Sequence, residues 1–333
     1  MAASNNVSSF VLPGIRIAGA ASYLLINLVG LFLSAMLAIV LWKSGDLKSK
    51  KTFLIMVCQH LVCDIVGELV QLTMVVPITF AGYGIYGEGF LLHGIAFFDT
   101  IAYNGQLYFS FLLTINRFSA FILPSVNVFL FTGKRIYASV AVVWGIIAVF
   151  VIGTNLGGCW KGFDSQKFYL KHECVKEISQ FLWFMKGWGS ATSTYLPAIM
   201  LGMYILLIIY TRITSLKLFK NIQASTNMNS KRRKREFSIL IQSFLICVVL
   251  EIQNFSFLLF PKINDPLHII TFIQNWIVQI SYLMNPIVVF AFNSDLRATL
   301  YRTLGLGSKK ANSVFVTRFT NPSEMNSKAT SQN

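Results

Sequence analysis

The sequence predicts an all-α membrane protein: a seven-transmembrane helix bundle with a short amphipathic cytoplasmic helix after the seventh span. Of its 333 residues, 55% are hydrophobic and only 12% are charged, whereas about a quarter of the residues in a soluble domain are charged. Apolar runs of about 20 residues recur along the chain, and each can cross a hydrocarbon core of about 30 Å. Positive charge collects in alternate connections between these runs, as it does in polytopic membrane proteins.

Seven apolar runs have the length of a membrane span. They are Ile17–Trp42, Phe53–Ile78, Phe90–Leu113, Ile136–Leu156, Trp188–Ile213, Phe237–Phe260 and Leu267–Phe292. The chain then divides into an N-terminal segment (1–16), a membrane domain (17–292), an amphipathic helix (293–305) and a tail (306–333). The tail is rich in Ser, Thr, Asn and Lys, a composition typical of disordered segments.

The distribution of lysine and arginine predicts an extracellular N-terminus and a cytoplasmic C-terminus. The connection 43–51 holds four lysines and the stretch 212–235 holds eight basic residues, and cytoplasmic connections are the ones enriched in such residues. The loop 157–187, with five lysines against three acids, is the one exception. In this orientation Asn6, in the sequon Asn6-Val7-Ser8, faces the side on which glycosylation occurs.

The net charge of +15 could also fit a nucleic-acid-binding protein, which carries a basic patch on one face of its fold. Here the basic residues lie in short connections between apolar spans. We therefore expect the lipid bilayer to surround this chain, and we expect no nucleic-acid partner.

A short helix is predicted after the seventh span. Ser294 can cap it, Leu296, Leu300 and Leu304 share one face, and Gly305 can end it. A helix of this kind lies on the inner leaflet of a membrane.

Span three carries a polar face. Asp99, Tyr103, Gln106, Ser110 and Arg117 are spaced by four, three, four and seven residues, which places them on one side of an α-helix. Polar groups in lipid must face protein or a water-filled cavity, because each unsatisfied group costs several kcal/mol. The helix from Asp99 to Arg117 is about 27 Å long, so Arg117 at the inner mouth would place Asp99 at the outer one.

Spans two, six and seven add further polar residues. On span two, His60, Asp64, Glu68 and Gln71 share one face, and two carboxylates one turn apart repel each other if both are ionised. Intramembrane ionisable residues are functional candidates by default. For any single one of these residues, the alternative that it only joins helices stays open.

Two of the five cysteines, Cys159 and Cys174, lie in the same outer loop, and the other three lie within spans. A disulfide between the two loop cysteines is the natural pairing in an oxidising compartment. Closing that loop would stabilise it by about 3 kcal/mol. Two free thiols are the alternative.

Sequence motifs for catalysis, metal binding or cofactor binding are missing. The chain has no His-Glu-x-x-His spacing, no Walker glycine loop and no nucleophile elbow, and its four histidines are scattered. Span seven contains no lysine, which excludes a retinal Schiff base there. We therefore expect no enzyme activity, no metal and no cofactor.

Two short motifs resemble the rhodopsin-like superfamily of seven-transmembrane receptors. Asn116-Arg117-Phe118 stands where that superfamily ends helix three with Asp-Arg-Tyr, and Asn285-Pro286 stands where it ends helix seven with Asn-Pro-x-x-Tyr. Asn116 replaces the usual acid, and the common disulfide to the outer end of helix three cannot form because no cysteine lies there.

In these departures the sequence is similar to the nematode serpentine chemoreceptors, above all class X (Srx). The matching stretches include Asn116 to Ala120, Phe131 to Lys134, Cys159 to Phe163, Phe168 to Cys174 and Phe292 to Arg297. The resemblance implies a chemosensory receptor, often ciliary, that binds a small-molecule ligand and activates a heterotrimeric G protein. A transporter or channel with the buried carboxylates as an ion path is the alternative, although the inverted repeats frequent in transporters are not visible.

Position and resemblance together suggest roles for the polar residues. The expected ligand pocket comprises Asp99, Tyr103, Gln106, Glu68, Gln71, Glu251 and Asn275. The expected switch comprises Asn116, Arg117, Glu236, Asn285 and Pro286, and His60, Asp64 and Ser110 form an interior polar centre.

Two of these roles are specific hypotheses. Asp99 stands where receptors of the superfamily anchor cationic amines; a structural hydrogen bond to Tyr103 or to a neighbouring amide is the alternative. Arg117 could pair with Glu236 and hold an inactive state, or Glu236 could pair locally with Arg232 or Arg233 on its own helix.

Overall fold

The computed structural model describes residues 12–43, 52–87, 90–164, 168–174, 179–221, 227–263 and 269–305, without the side chains of residues 164, 169, 215–239 and 261. Seven long helices and a short eighth one carry the architecture. They are α1 Pro13–Lys43, α2 Thr52–Ala81, α3 Phe90–Ile122, α4 Arg135–Leu156, α5 Gln180–Asn221, α6 Asn227–Leu259, α7 Ile269–Phe292 and α8 Ser294–Thr303. A loop helix, Pro124–Phe131, joins α3 to α4.

Six of the seven long helices are apolar enough to cross a membrane by length and composition. The remaining one, α3, has 33 residues, so its length suffices, but its polar face lowers its hydropathy. The residues of its predicted polar face, including Asp99, Gln106 and Ser110, are buried. Several helices extend beyond the predicted spans: α3 continues past Leu113 to Ile122, and α5 already begins at Gln180.

α3 lies at the centre of the bundle, where it contacts α2, α4, α5 and α6. Glycines let helices approach closely around it. A Cβ added to Gly105 on α3 would lie 2.2 Å from Cys63 Sγ on α2, and one added to Gly67 on α2 would lie 2.4 Å from the Tyr282 ring on α7. Small residues at such crossings are how membrane helices gain packing contacts.

α2 is irregular near its end. Gln71–Val75 is wound as a π-helix and ends two residues before Pro77, whose ring would clash with the preceding turn in a regular helix. Such wide turns are rare and often occur at functional sites. Gly82 then ends the helix in the left-handed conformation, with φ of 78°.

A two-stranded antiparallel hairpin fills the loop between α4 and α5. It consists of β1 Cys159–Asp164 and β2 Tyr169–Cys174, and it pairs Cys159 with Cys174, Lys161 with His172 and Phe163 with Leu170. The predicted disulfide joins Cys159 to Cys174.

The hairpin is held on the bundle by apolar packing. Phe163 and Phe168 are buried in one cluster with Tyr23 of α1 and Phe272 of α7, and the Phe168 and Phe272 rings stack with centroids 5.7 Å apart. The hairpin is therefore packed onto the bundle and does not project freely from it.

The cap of α8 differs from the prediction. The Asn293 side chain, instead of Ser294, accepts hydrogen bonds from the backbone N–H groups of Asp295 and Leu296, since Ser294 is already the first helical residue. Of the leucines predicted to share one face, Leu296 is buried and Leu304 is exposed.

Candidate functional site

A cavity of about 340 Å³ lies beneath the hairpin, between α3, α4, α5 and α6. Its apolar walls include Phe150 on α4, Leu182 on α5 and Phe257 on α6. Tyr103 on α3 and Asn254 on α6 also line it, and the Tyr103 hydroxyl donates a hydrogen bond to Asn254 Oδ1 at 2.8 Å. A concave, mostly apolar site with a few placed polar groups is the usual form of a small-molecule site.

One face of the hairpin covers this cavity. Side chains alternate between the two faces of a strand, so Cys159 and Lys161 on β1 share a face with their cross-strand partners Cys174 and His172 on β2. All four line the cavity. The Cys159–Cys174 disulfide therefore joins the two strands above the cavity, at the end of the hairpin opposite its turn.

Asp99 does not line the cavity but is bound by Lys161, whose ammonium forms an ion pair with Asp99 Oδ2. The pair is largely buried, with 3% of the Asp99 side chain and 15% of the Lys161 side chain exposed. The Asp99 carboxylate thus meets a cation of the same chain, and the predicted alternative partner Tyr103 bonds Asn254 instead.

His172 lies directly opposite Lys161 on the hairpin. It lines the cavity, and its side chain is exposed. Desolvation by the neighbouring protein atoms, and then the positive charge of Lys161, lower the pKa of His172 to about 4; Asp99 opposes this shift and Lys186 of α5 adds to it. His172 is therefore a neutral hydrogen-bonding group near pH 7.

A polar core lies deeper in the bundle and is centred on Asp64 of α2. Asp64 Oδ1 accepts a hydrogen bond from Gln106 of α3 at 2.7 Å, and Oδ2 accepts one from Asn285 of α7 at 2.8 Å. His60 Nδ1 lies 3.2 Å from Asp64 Oδ2, and its Nε2 lies 3.0 Å from Ser110 Oγ. These side chains are all buried. Together they link α2, α3 and α7.

The structure brings the predicted interior centre together and extends it with Gln106 and Asn285. Gln106 was expected in the ligand pocket; it lies in this core because its amide is the partner that one Asp64 oxygen needs. Among the described residues, no group of three His, Cys, Asp or Glu side chains is placed to hold a metal ion.

Four other residues expected in the pocket do not line the cavity either. Asn275 donates a hydrogen bond to the Phe168 carbonyl at 2.6 Å and so helps to hold the hairpin. Glu68 and Gln71 are buried on α2, where Glu68 packs against Gly30 of α1, and Glu251 is half-buried on α6. Neither α2 nor α7 contributes a residue to the described lining of the cavity, so Glu68, Gln71 and Asn275 lie outside it.

The α8 end of the bundle holds the expected switch residues. The Arg117 guanidinium lies 4.7 Å from the centre of the Phe53 ring of α2, a cation–π geometry. Asn116 donates a hydrogen bond to Asn127 of the loop helix at 3.2 Å. Pro286 lies inside α7 beside Asn285. The Glu236 side chain and Asn6 lie outside the described residues.

Sequence reasoning missed most of the residues that line the cavity, among them Lys161, His172, Lys186 and Asn254. A strand pairing that starts at the Cys159–Cys174 disulfide would have placed Lys161 opposite His172, so the hairpin signal was available. Lys186 was assigned to a loop because α5 begins earlier than its apolar run.

A bundle of seven long helices has the polar α3 at its centre, a covered cavity at one end and Arg117 near the other end. These features are those of a seven-transmembrane receptor. Residues 24–293 match the family described as serpentine type 7TM GPCR chemoreceptor Srx. The chain therefore belongs to this family of G-protein-coupled receptors, which confirms the identification made from the sequence motifs.

Structural comparison supports the same fold. The crystal structure of squid rhodopsin superposes with a TM-score of 0.70 at 12% sequence identity, over 89% of this chain and 87% of that one. At this identity the likeness concerns the fold alone, and it confirms the predicted seven-helix bundle. No curated protein sequence matches the chain.

Proposed function

We propose that this receptor binds a small extracellular chemical in the cavity beneath the hairpin and activates a heterotrimeric G protein at the α8 end by rearranging its helices. The observation that carries the proposal is the cavity itself. Its volume of about 340 Å³ falls in the range of small-molecule sites, and it combines apolar walls with a few polar groups.

The Tyr103–Asn254 hydrogen bond gives such a ligand a means of changing the protein. Both residues line the cavity and they join α3 to α6. A ligand that contacts them can strengthen or replace this bond, and a ligand shifts a conformational equilibrium only through such differential contacts. Relative movement of helices is a common form of switching transition.

The Asp64 core provides a route from the cavity to the other end. Tyr103 and Gln106 are neighbours on one face of α3, and Gln106 binds Asp64, which in turn binds Asn285 beside Pro286. A shift of α3 therefore changes the contacts of α2 and α7. Arg117 lies at the end of the same helix, on the side where the G protein would bind.

The orientation and location are part of the proposal. The lysine and arginine distribution supports an extracellular N-terminus and a cytoplasmic C-terminus. Family membership supports the plasma membrane of a sensory cell, and its cilium in particular.

A cell-based assay tests the proposal. The full chain is expressed with a calcium or cyclic-nucleotide reporter, volatile and soluble chemicals are screened, and nucleotide exchange on purified G proteins is then measured with the active compounds. Ligand-dependent exchange is the expected result. Ion currents through purified vesicles, without exchange on any G protein, would favour the transporter or channel alternative.

A pair of matched variants locates the ligand. Tyr103→Phe removes the hydroxyl that holds Asn254, and we expect agonist potency to fall by about 2- to 10-fold, the equivalent of one hydrogen bond. Tyr108→Phe is the control on the same helix, because the Tyr108 hydroxyl accepts a hydrogen bond from Trp188 and does not line the cavity. Equal effects of the two variants would place the ligand elsewhere.

A further inference from the structure

The groups around the cavity carry an excess of positive charge. Lys161, Lys186 and His172 line it, and none of the described lining residues is Asp or Glu. The Asp99 carboxylate beside the cavity is already paired with Lys161. With His172 neutral, the lining itself carries two ammonium groups and no carboxylate, so the wall of the cavity is positively charged.

Lys186 supplies the charge that is not balanced. It forms no ion pair or hydrogen bond with any residue that the structure describes. It shares one face of α5 with Ser190 and Ser193, which also line the cavity, because residues three and four apart are neighbours on a helix. The Ser193 hydroxyl donates to the Ser190 carbonyl at 3.0 Å, so the Lys186 ammonium and the Ser190 hydroxyl remain as a donor pair suited to an anion.

The remaining walls are apolar. Phe150, Leu182, Phe257 and Leu258 surround the space below the hairpin. A ligand that fits this cavity needs an apolar body as well as a charged group, since inorganic anions would leave these walls unfilled.

We propose that the cavity binds a small organic anion, with its carboxylate at Lys186 and the Ser190 hydroxyl of α5 and its apolar body against α4 and α6. This inference rests on the proposed function of the cavity as the ligand site. It reverses the ligand charge expected from Asp99 alone, because Lys161 already neutralises that carboxylate. His172 contributes as a neutral hydrogen-bonding group on the hairpin side.

Binding is measured on the purified full chain in lipid nanodiscs, through the shift of the thermal unfolding temperature. The probes are two matched sets: phenylacetate, phenylacetamide and phenethylamine, and hexanoate, hexanamide and hexylamine. Each set keeps the apolar body and changes only the charge. We expect the carboxylates to raise the unfolding temperature and the amides and amines to have little effect. Equal or larger shifts with the amines or amides, or no shift with either carboxylate, would overturn the proposal.

Variants of Lys186, with a variant of Lys171 as the control, test whether the anion binds at Lys186. Lys186→Gln should weaken carboxylate binding by about tenfold or more, and Lys186→Arg should retain it. Lys171→Gln is the matched control, because Lys171 lies on the opposite face of the hairpin and pairs with Glu173 at 3.0 Å. If Lys186→Gln binds the carboxylates as the parent chain does, the site is wrong.

Asp99→Asn provides a test of opposite sign. Removing this carboxylate frees the Lys161 charge, so carboxylates should bind more tightly and stabilise the variant more than the parent chain. An amine-binding site would lose affinity instead. Because no G protein is present in these measurements, carboxylate binding without signalling would count against the receptor function alone, and signalling by an amine in the same cavity would count against the anion alone.

Discussion

The position of Asp99 could be predicted from the sequence, but the partner of its carboxylate could not. Its position on α3 is the one expected from sequence, near the hairpin end of the polar face. What it faces was set by a loop residue 62 positions away, Lys161. Removing one member of a buried ion pair leaves the other charge without a partner, which costs far more than removing both.

The first prediction concerns this pair. Lys161→Gln should lower the stability of the receptor by about 3–5 kcal/mol, because Asp99 is left charged and buried. The double variant Lys161→Gln with Asp99→Asn should recover most of that loss. Thermal unfolding of the purified chain measures both. Similar unfolding temperatures for the single and double variants would show that the pair is not a buried ion pair in the native protein.

The second prediction concerns His172 and acid. Its pKa of about 4 in the folded protein lies below its value of about 6.5 in an unfolded chain. Between these pH values the unfolded state binds more protons, so stability falls as the pH decreases from about 7 towards 4. His172→Gln should show a smaller decrease in unfolding temperature between about pH 7 and pH 5. The same decrease in both proteins would contradict the assignment.

Among the elements, α3 and the hairpin position the cavity together. The polar face of α3 could be read from helical spacing because it is a local property of one segment. The hairpin was harder to predict, because its loop mixes charged and aromatic residues without a clear alternating pattern. Its position over the cavity depends on packing against α1 and α7, which the loop sequence does not show.

The third prediction concerns the contact of α2 with α3. Gly105→Ala should destabilise the receptor by about 1–3 kcal/mol, because the new methyl group would meet Cys63 Sγ at 2.2 Å. Cys63→Ala in the same chain should restore stability by making room. Gly145→Ala on α4 is the control, since nothing lies within 4 Å of the added Cβ. Surface expression and thermal unfolding measure the effect. If Gly105→Ala left the stability unchanged, α2 and α3 would be farther apart than in the structure.

At the scale of the whole molecule, the orientation of the bundle follows from charge. The fourth prediction is that an epitope tag placed before Val7 stains intact cells, whereas a tag placed after Lys310 stains only permeabilised cells. The basic connection between α1 and α2 and the basic residues at the end of α5 and the start of α6 are the physical reason, since such segments remain in the cytoplasm. Staining in the reverse pattern would invert the receptor and its proposed ligand side.

The sequence by itself determined the number of helices, the face of α3 that points inward, the loop disulfide and the receptor family. These follow from apolar length, helical period and local motifs, which need no knowledge of neighbours. Only the tertiary structure decided which polar residues meet. Asp64 with Gln106 and Asn285, Asp99 with Lys161, and Lys186 at the cavity all depend on the depth and rotation of separate segments. Helical spacing fixes the direction of a side chain but not its partner, and so the predicted pocket and the cavity share only Tyr103.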